Sequence, residues 1–260
     1  MLKAFYSSAT GMRAQEQLID NTANNLANVN TTGFKRKHIH FADLIYETMR
    51  NPGASTQAGA IAPEGLQIGN GTRAIGNASI NTNGVPIETG QDTHMAIEGD
   101  GYFQVLDANG GFLYTRDGSF LPDANGQLVT AEGYPVQPGI QIPQGATKVS
   151  ITEDGQVSAE VDGVVSALGV VTLARFPNDE GLKNVGSNFL QQTQASGAAI
   201  LGTPTQQGFG KVRQRFLEGS NVEVVTELVN LITAQRAYEI NSRAIRAGDE
   251  MLSNTGQLVR

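Results

Sequence analysis

Apolar and small side chains recur at Leu2, Phe5, Ala9, Met12, Ile19, Ala23 and Leu26, a 3/4 spacing broken only where Glu16 takes a stripe position. The spacing predicts one amphipathic helix over residues 1–30 with a single greasy seam. Asn30-Thr31-Thr32-Gly33 then supplies stop and turn chemistry, because Gly33 can take a positive φ at little cost. A lone seam needs a partner helix, and the far end of the chain offers one. Ser220-Asn221-Val222-Glu223 reads as a capping box, with Ser220 as N-cap and Glu223 reaching back. The helix it opens runs to about Leu252, roughly 50 Å at ~1.5 Å per residue. Two stripes follow it: Ala237, Ile240, Ala244, Ala247 and Met251, and a heptad repeat of Leu231, Tyr238, Ile245 and Leu252. One stripe suffices to pair with the first helix. The second implies another chain.

Between the helices the period changes. Residues 76–200 carry short apolar or alternating runs, best in Met95–Leu106, separated by Asp107-Ala108-Asn109-Gly110, Arg116-Asp117-Gly118, Asp123-Ala124-Asn125-Gly126 and Glu132-Gly133. Asn-Gly and Asp-Gly between such runs mark hairpins. Further strands are expected at Lys148–Ile151, Gln156–Val161, Val164–Ala167 and Val170–Phe176, giving a sandwich- or barrel-like domain. Phe41, Leu44, Ile45 and Met49 fit a short amphipathic helix or an irregular arm, and Asn51–Ala60 has the composition of a flexible linker. The expected fold class is α+β: terminal helices paired as a coiled-coil-like stalk (1–30 and 220–260), an inserted all-β domain (76–200), and extended connecting arms (31–75 and 201–219).

Composition changes this picture little. Of 260 residues, 39% are hydrophobic and 6% aromatic, with no Trp, so a modest core with elongated parts fits better than one large core. The net charge of −7 is uneven: residues 76–200 hold 14 acids against 4 bases, and the remainder 11 against 14. An acidic middle with near-neutral ends argues against nucleic-acid binding, which needs a basic face. The absence of Cys excludes disulfides and thiolate metal sites. No run approaches the ~18 apolar residues of a membrane span, and no cleavable secretory signal is visible near the start.

No catalytic constellation is legible. The chain lacks G-x-S-x-G and H-E-x-x-H, and Asp92-Thr93-His94 and Glu153-Asp154 stand without supporting signatures. His38-x-His40, beside Lys35-Arg36-Lys37, belongs to a chain with three histidines, too few for a ligand-rich centre, so a solvated or subunit-contact charge cluster is the better reading. The twin Asp-Ala-Asn-Gly turns fail the calcium-loop pattern, whose fifth position they fill with Gly111 and Gln127. The Gly65–Gly76 stretch lacks a phosphate-loop Lys and a third correctly placed Gly. No enzyme activity, cofactor or metal is expected. Two non-enzymatic classes compete: a subunit of a helical assembly, or a stalked β-domain adhesin. Placing the stalk in both chain ends, with the head inserted between them, favours the assembly.

Ala23-Asn24-Asn25-Leu26-Ala27-Asn28, with Thr32-Gly33-Phe34-Lys35, and the C-terminal Asn221-Val222-Glu223 and Glu227–Ser242 resemble the bacterial flagellar axial family, which contains rod and hook proteins. The likeness covers essentially the whole chain and is nearer the rod members, in length and in the stretch Tyr46–Gly65. It implies a structural, torque-transmitting subunit of a tube that also forms part of the export channel. The implied partners are copies of itself, neighbouring rod and hook proteins, the surrounding ring proteins and the flagellar export apparatus. It implies a basal-body location from the periplasm to the outer membrane, reached without signal cleavage. It also gives Tyr46, Met49, Pro52, Gly53, Ile61, Pro63 and Gly65 a part in setting stiffness, and lays the Gly-, Ser- and Gln-rich strip 178–219 beside the 31–75 arm.

Overall fold

The computed structural model describes residues 2–51, 53 and 64–258. The chain forms two compact units: Met1–Ala27, Lys37–Ala78 and Glu223–Arg260 in one, Asn28–Arg36 and Ser79–Val222 in the other.

The first unit is built on two helices, α1 (Leu2–Ala27) and α2 (Val224–Leu258). They run antiparallel, since Phe5 meets Gly248, Gly11 meets Asn241 and Asn25 meets Glu227. Four strands join them: β1 (Lys37–Asp43), β2 (Tyr46–Arg50), β3 (Leu66–Gly69) and β4 (Thr72–Ser79), pairing as β1–β4 and β2–β3. The stretch read as a helix or irregular arm is therefore extended. Its apolar residues Phe41, Ile45 and Met49 are exposed, and no face at helical spacing is buried. The antiparallel β2–β3 ribbon is exposed along almost its whole length and is tied to α1 by the ion pair of Lys3 with Glu47.

Both helix ends differ from expectation. The first stops at Ala27, and turns occupy 28–33, with Gly33 at φ 67°. The second starts at Val224 and runs on to Leu258. Ser220 Oγ accepts from the Val222 N–H at 3.3 Å, and the Glu223 carboxylate accepts from the Thr226 hydroxyl at 2.7 Å. No capping box forms at Ser220, because Glu223 turns forward onto the first helical turn.

The second unit is all β. Its strands are β5 (Pro86–Glu88), β6 (Met95–Glu98), β7 (Tyr102–Leu106), β8 (Phe112–Thr115), β9 (Leu121–Pro122), β10 (Leu128–Val129), β11 (Lys148–Ile151), β12 (Gln156–Val161), β13 (Val164–Val170), β14 (Leu173–Arg175), β15 (Lys183–Gly186), β16 (Phe189–Gln191), β17 (Ile200–Gly202), β18 (Lys211–Gln214) and β19 (Phe216–Glu218). Six strands form one sheet in the order β15-β16-β8-β7-β14-β17, and β11-β12-β13 form another. The Asp-Ala-Asn-Gly turns close the β7–β8 and β9–β10 hairpins. Between the sheets lies a core of Met95, Phe103, Phe120, Leu128, Val157 and Leu173, among others. The hairpin and strand expectations for 148–161 match these elements residue for residue.

The expected return arm takes a different path. β18 pairs with β6 (Val212↔Ile97) and β19 with β5 (Leu217↔Ile87), so 201–219 belongs to the β unit, while 37–75 belongs to the other. Phe209, Val212 and Leu217 are buried there, which gives this strip a core to join.

Candidate assembly surface

Apart from Phe5, the contacts between α1 and α2 are made by residues that hydrophobicity did not single out. On α1 the residues that meet α2 along the seam are Phe5, Gly11 and Asn25; on α2 their partners are Gly248, Asn241 and Glu227, which with the buried Ala234 step by heptads. Small faces large or polar along it. A Cβ at Gly248 would lie 2.7 Å from Phe5 Cζ, and one at Gly11 would lie 3.1 Å from Asn241 Nδ2. Such spacing lets the backbones approach closely, and any larger side chain would push them apart.

Amides and a carboxylate fix the register at the Asn25 end. Asn25 Oδ1 accepts from the Lys37 N–H at 2.9 Å, while Asn25 Nδ2 donates to the Lys37 carbonyl at 2.9 Å and to Glu227 Oε2 at 3.4 Å. Asn21 Nδ2 donates to the same carbonyl at 2.8 Å, and its Oδ1 accepts from Asn77 Nδ2 at 3.2 Å. Asn25 thus serves the backbone of β1 as a neighbouring strand would, and ties it to both helices. Two asparagines of α1, Asn21 and Asn25, are enclosed with Thr22 on its bonded face, whereas Asn24 is exposed.

The family motif divides at Ala27. From Asn28 onward it lies in the β unit, where Gly33 donates its N–H to the Glu218 carbonyl at 2.8 Å. A Cβ at Gly33 would lie 2.7 Å from the Arg116 carbonyl carbon, so both its φ and its surroundings demand glycine there. Lys35 Nζ donates to Glu218 Oε1 at 2.6 Å and to the Thr82 carbonyl at 2.8 Å. Arg116 Nη1 reaches Glu218 Oε2 at 3.3 Å and its guanidinium lies 5.2 Å from the Tyr102 ring centre. All three charges are buried. Burial pushes the Lys35 ammonium below its ordinary pKa of 10.5 despite the carboxylate beside it. Asn221 closes the same corner, accepting from the Arg36 N–H at 2.7 Å and donating to the Ile80 carbonyl at 2.7 Å. Three bases in a row therefore include one buried structural ammonium, Lys35. His38 and His40 stay exposed on β1, edge to face at 5.1 Å.

Of the stripes chosen for pairing, Phe5 lines the helical seam, against Gly248. On α1, Phe5, Met12, Ile19 and Leu26 are half-buried, and Ala9 and Ala23 are exposed. On α2, Ala237, Leu231 and Ile245 are half-buried, while Tyr238, Ile240, Ala244, Ala247, Met251 and Leu252 are exposed. Leu2 lies where only the backbone is described. The expectation that an apolar stripe alone pairs the helices is corrected: Phe5 packs on Gly248, but Gly11 faces Asn241 and Asn25 bonds Glu227, so small and polar residues complete the seam, where they permit close approach and bond the buried amides. The exposed stripe extends toward the helix start through Val225, Val229 and Ile232, which a 3/4 count from Ile240 would have found. Of the stretch linked with stiffness, Tyr46 and Met49 are exposed on β2, Gly53 takes φ 80° and Gly65 precedes β3. Pro52, Ile61 and Pro63 lie outside the described residues.

Three family models match the chain: flagella basal body rod protein over residues 5–35, flagellar hook protein FlgE/F/G D1 domain over 96–159, and flagellar basal body rod FlgEFG protein C-terminal over 213–258. Among curated relatives, the flagellar basal-body rod protein FlgG of Agrobacterium fabrum is 47% identical over 97% of both chains. The protein of that name from Caulobacter vibrioides is 44% identical over 99% of both. The solved Helicobacter pylori flagellar hook protein FlgE2 aligns with 70% of this chain and 43% of its own, at 16% identity and a TM-score of 0.25, too slight a likeness to argue from.

Proposed function

The chain belongs to the flagellar basal-body rod and hook family, whose members are structural, non-enzymatic axial components of the flagellum, and from that premise we propose that it is the distal-rod subunit, polymerising through its terminal helices into a rigid helical tube. One observation carries the reading. Val225, Val229, Ile232, Ile240 and Met251 lie along one face of α2, each at least half exposed, although the helix already has an intramolecular partner. Burying side chains of this size is worth ~1.5–3 kcal/mol each. Five together are comparable with the ~4–15 kcal/mol that association costs. Contacts of this kind propagate into a filament when they do not close a ring.

On this reading copies of the chain stack by α1 and α2, with Leu2, Phe5, Met12, Ile19, Leu26 and the α2 stripes in the seams between them. The tube meets proximal rod and hook proteins at its ends and transmits torque from motor to hook. Its bore forms part of the export channel, from which the subunits themselves emerge. The acidic β unit faces the surrounding ring proteins in the periplasm and at the outer membrane. The exposed β2–β3 ribbon, with Tyr46, Met49, Leu66 and Ile68, wedges between neighbours and resists bending. Ile240→Glu tests the polymer seam, since it places a charge where the reading needs a dry contact. Cells making this variant are expected to yield no rods beyond the proximal segment. Rods of normal length in electron micrographs would refute the assignment of that face.

A further inference from the structure

One cavity in the β unit, of about 280 Å³, has walls of unlike chemistry: the carboxylates of Asp107 and Glu132, the rings of Tyr134 and Phe189, and the apolar Leu113 and Val185. Each wall is braced. Glu132 sits exposed at the tip of a turn closed by Thr130 N–H to the Tyr134 carbonyl (2.9 Å) and Tyr134 N–H to Thr130 Oγ1 (3.2 Å). Asp107 is held by the Ala108 N–H (2.8 Å) and Asn109 Nδ2 (2.9 Å). The third wall is the turn Gly186-Ser187-Asn188, at φ 99°, 47° and 61°. Asn188 Nδ2 fastens it to the Thr32 carbonyl at 3.1 Å, and the Asn188 carbonyl accepts from Thr115 Oγ1 at 3.0 Å. Tyr134 and Phe189 meet edge to face at 5.4 Å, which fixes the angle of the tyrosine ring.

We propose that this pocket receives an arginine side chain presented by a partner protein. No described lining residue is cationic, and the lining combines the carboxylates of Asp107 and Glu132 with the rings of Tyr134 and Phe189. A guanidinium matches all of this: its plane stacks on Tyr134, its fork reaches Glu132, and its methylenes lie along Leu113 and Val185. A lysine ammonium would satisfy the charge and leave the ring face uncovered. The occupant is a side chain on a protein surface because the cavity is small and open, with room for one such group. Strand addition to the neighbouring edge is disfavoured: β15 carries Lys183 and an irregular register between Asn184 and Gly186, both of which blunt an edge. The excess of 14 acids over 4 bases in residues 76–200 draws a basic partner toward this unit. The pocket is independent of how the helices assemble, so it stands or falls apart from the polymer seam.

The test is a titration of the full chain with N-acetyl-arginine amide, followed by amide NMR, with N-acetyl-citrulline amide as the uncharged isostere. The expected result is saturable shifts at residues 107, 132, 134 and 185–191 with the arginine compound only. Glu132→Gln, on an exposed turn, should weaken binding roughly five-fold, and Tyr134→Leu by a similar factor, with the remaining spectrum unchanged. Absence of saturable shifts, equal shifts with the citrulline compound, or unaltered binding in Glu132→Gln would each overturn the proposal.

Discussion

Among the largest fully enclosed side chains, those of the β unit are Phe103, Phe120, Met95, Leu128, Leu173 and five valines, and those of the helical unit are Asn25 and Glu227. Among the described residues of the helical unit, the buried hydrophobics are Ala14, Ile39 and Ala234, while its valines, isoleucines and tyrosines lie largely outside. A domain that stands alone puts large apolar groups inside, because burial is the dominant favourable contribution to folding. The helical unit does the reverse. Its interior holds groups that specify geometry, and its surface holds the groups that would supply stability once covered. The β unit has a large apolar core of its own, and on the proposed reading the helical unit is half of an interface.

The largest effect that could break this contrast comes from inside the β unit. Glu218→Ala removes the carboxylate between Lys35 and Arg116 and leaves two buried cations facing each other. It should cost about 3–5 kcal/mol of β-unit stability, read as a shift of the denaturant midpoint of the full chain. Loss of less than about 1 kcal/mol would mean water reaches that corner. Next comes Asn25→Ala, which strips the Lys37 backbone and Glu227 of their shared partner. A cost of about 2–3 kcal/mol is expected. It should appear in helical content, and the β-unit transition should stay unchanged.

The smallest effect concerns Asp179, whose buried Oδ1 has no hydrogen-bond partner. Burial raises its carboxyl above the ordinary 3.8, although Arg116 and Arg175 oppose this. The native state therefore holds this proton more tightly than the unfolded chain does. The stability so gained is complete below pH 3.8 and lost as pH rises through the higher native value. Asp179→Asn should be the more stable protein at neutral pH, with its advantage shrinking as pH falls toward 4. An advantage that is flat between pH 4 and 7 would show that the proton is not involved.

Much of the fold was legible where local chemistry decides it. The Asp-Ala-Asn-Gly hairpins and the strands at 148–151 and 156–161 follow from turn residues and alternation, both short-range signals. The two helices followed from their periodicity. Their contact faces did not, because a hydrophobic stripe reports which residues will be covered in the end and is silent about which neighbour covers them. The true seam carries a heptad of its own, Glu227-Ala234-Asn241-Gly248, visible only to a search for small and polar repeats. The Lys35–Glu218–Arg116 corner was beyond reach for another reason: its members are brought together by tertiary pairing across 183 and 102 residues of sequence. Residues 201–219 read as an extended arm because its strands are three or four residues long and gain their neighbours from distant strands, β17 from β14, β18 from β6 and β19 from β5.

Hydrogen exchange on the full chain, compared between soluble subunit and assembled polymer, tests the central claim most directly. The β unit should show the same strong protection in both states at Met95–Glu98, Tyr102–Leu106 and Gln156–Val161. Amides of Leu2–Ala27 and Val224–Leu258 should exchange readily in the subunit and become protected on assembly. Helices already as protected in the subunit as in the polymer, or a gain of protection centred on the β unit, would contradict the account.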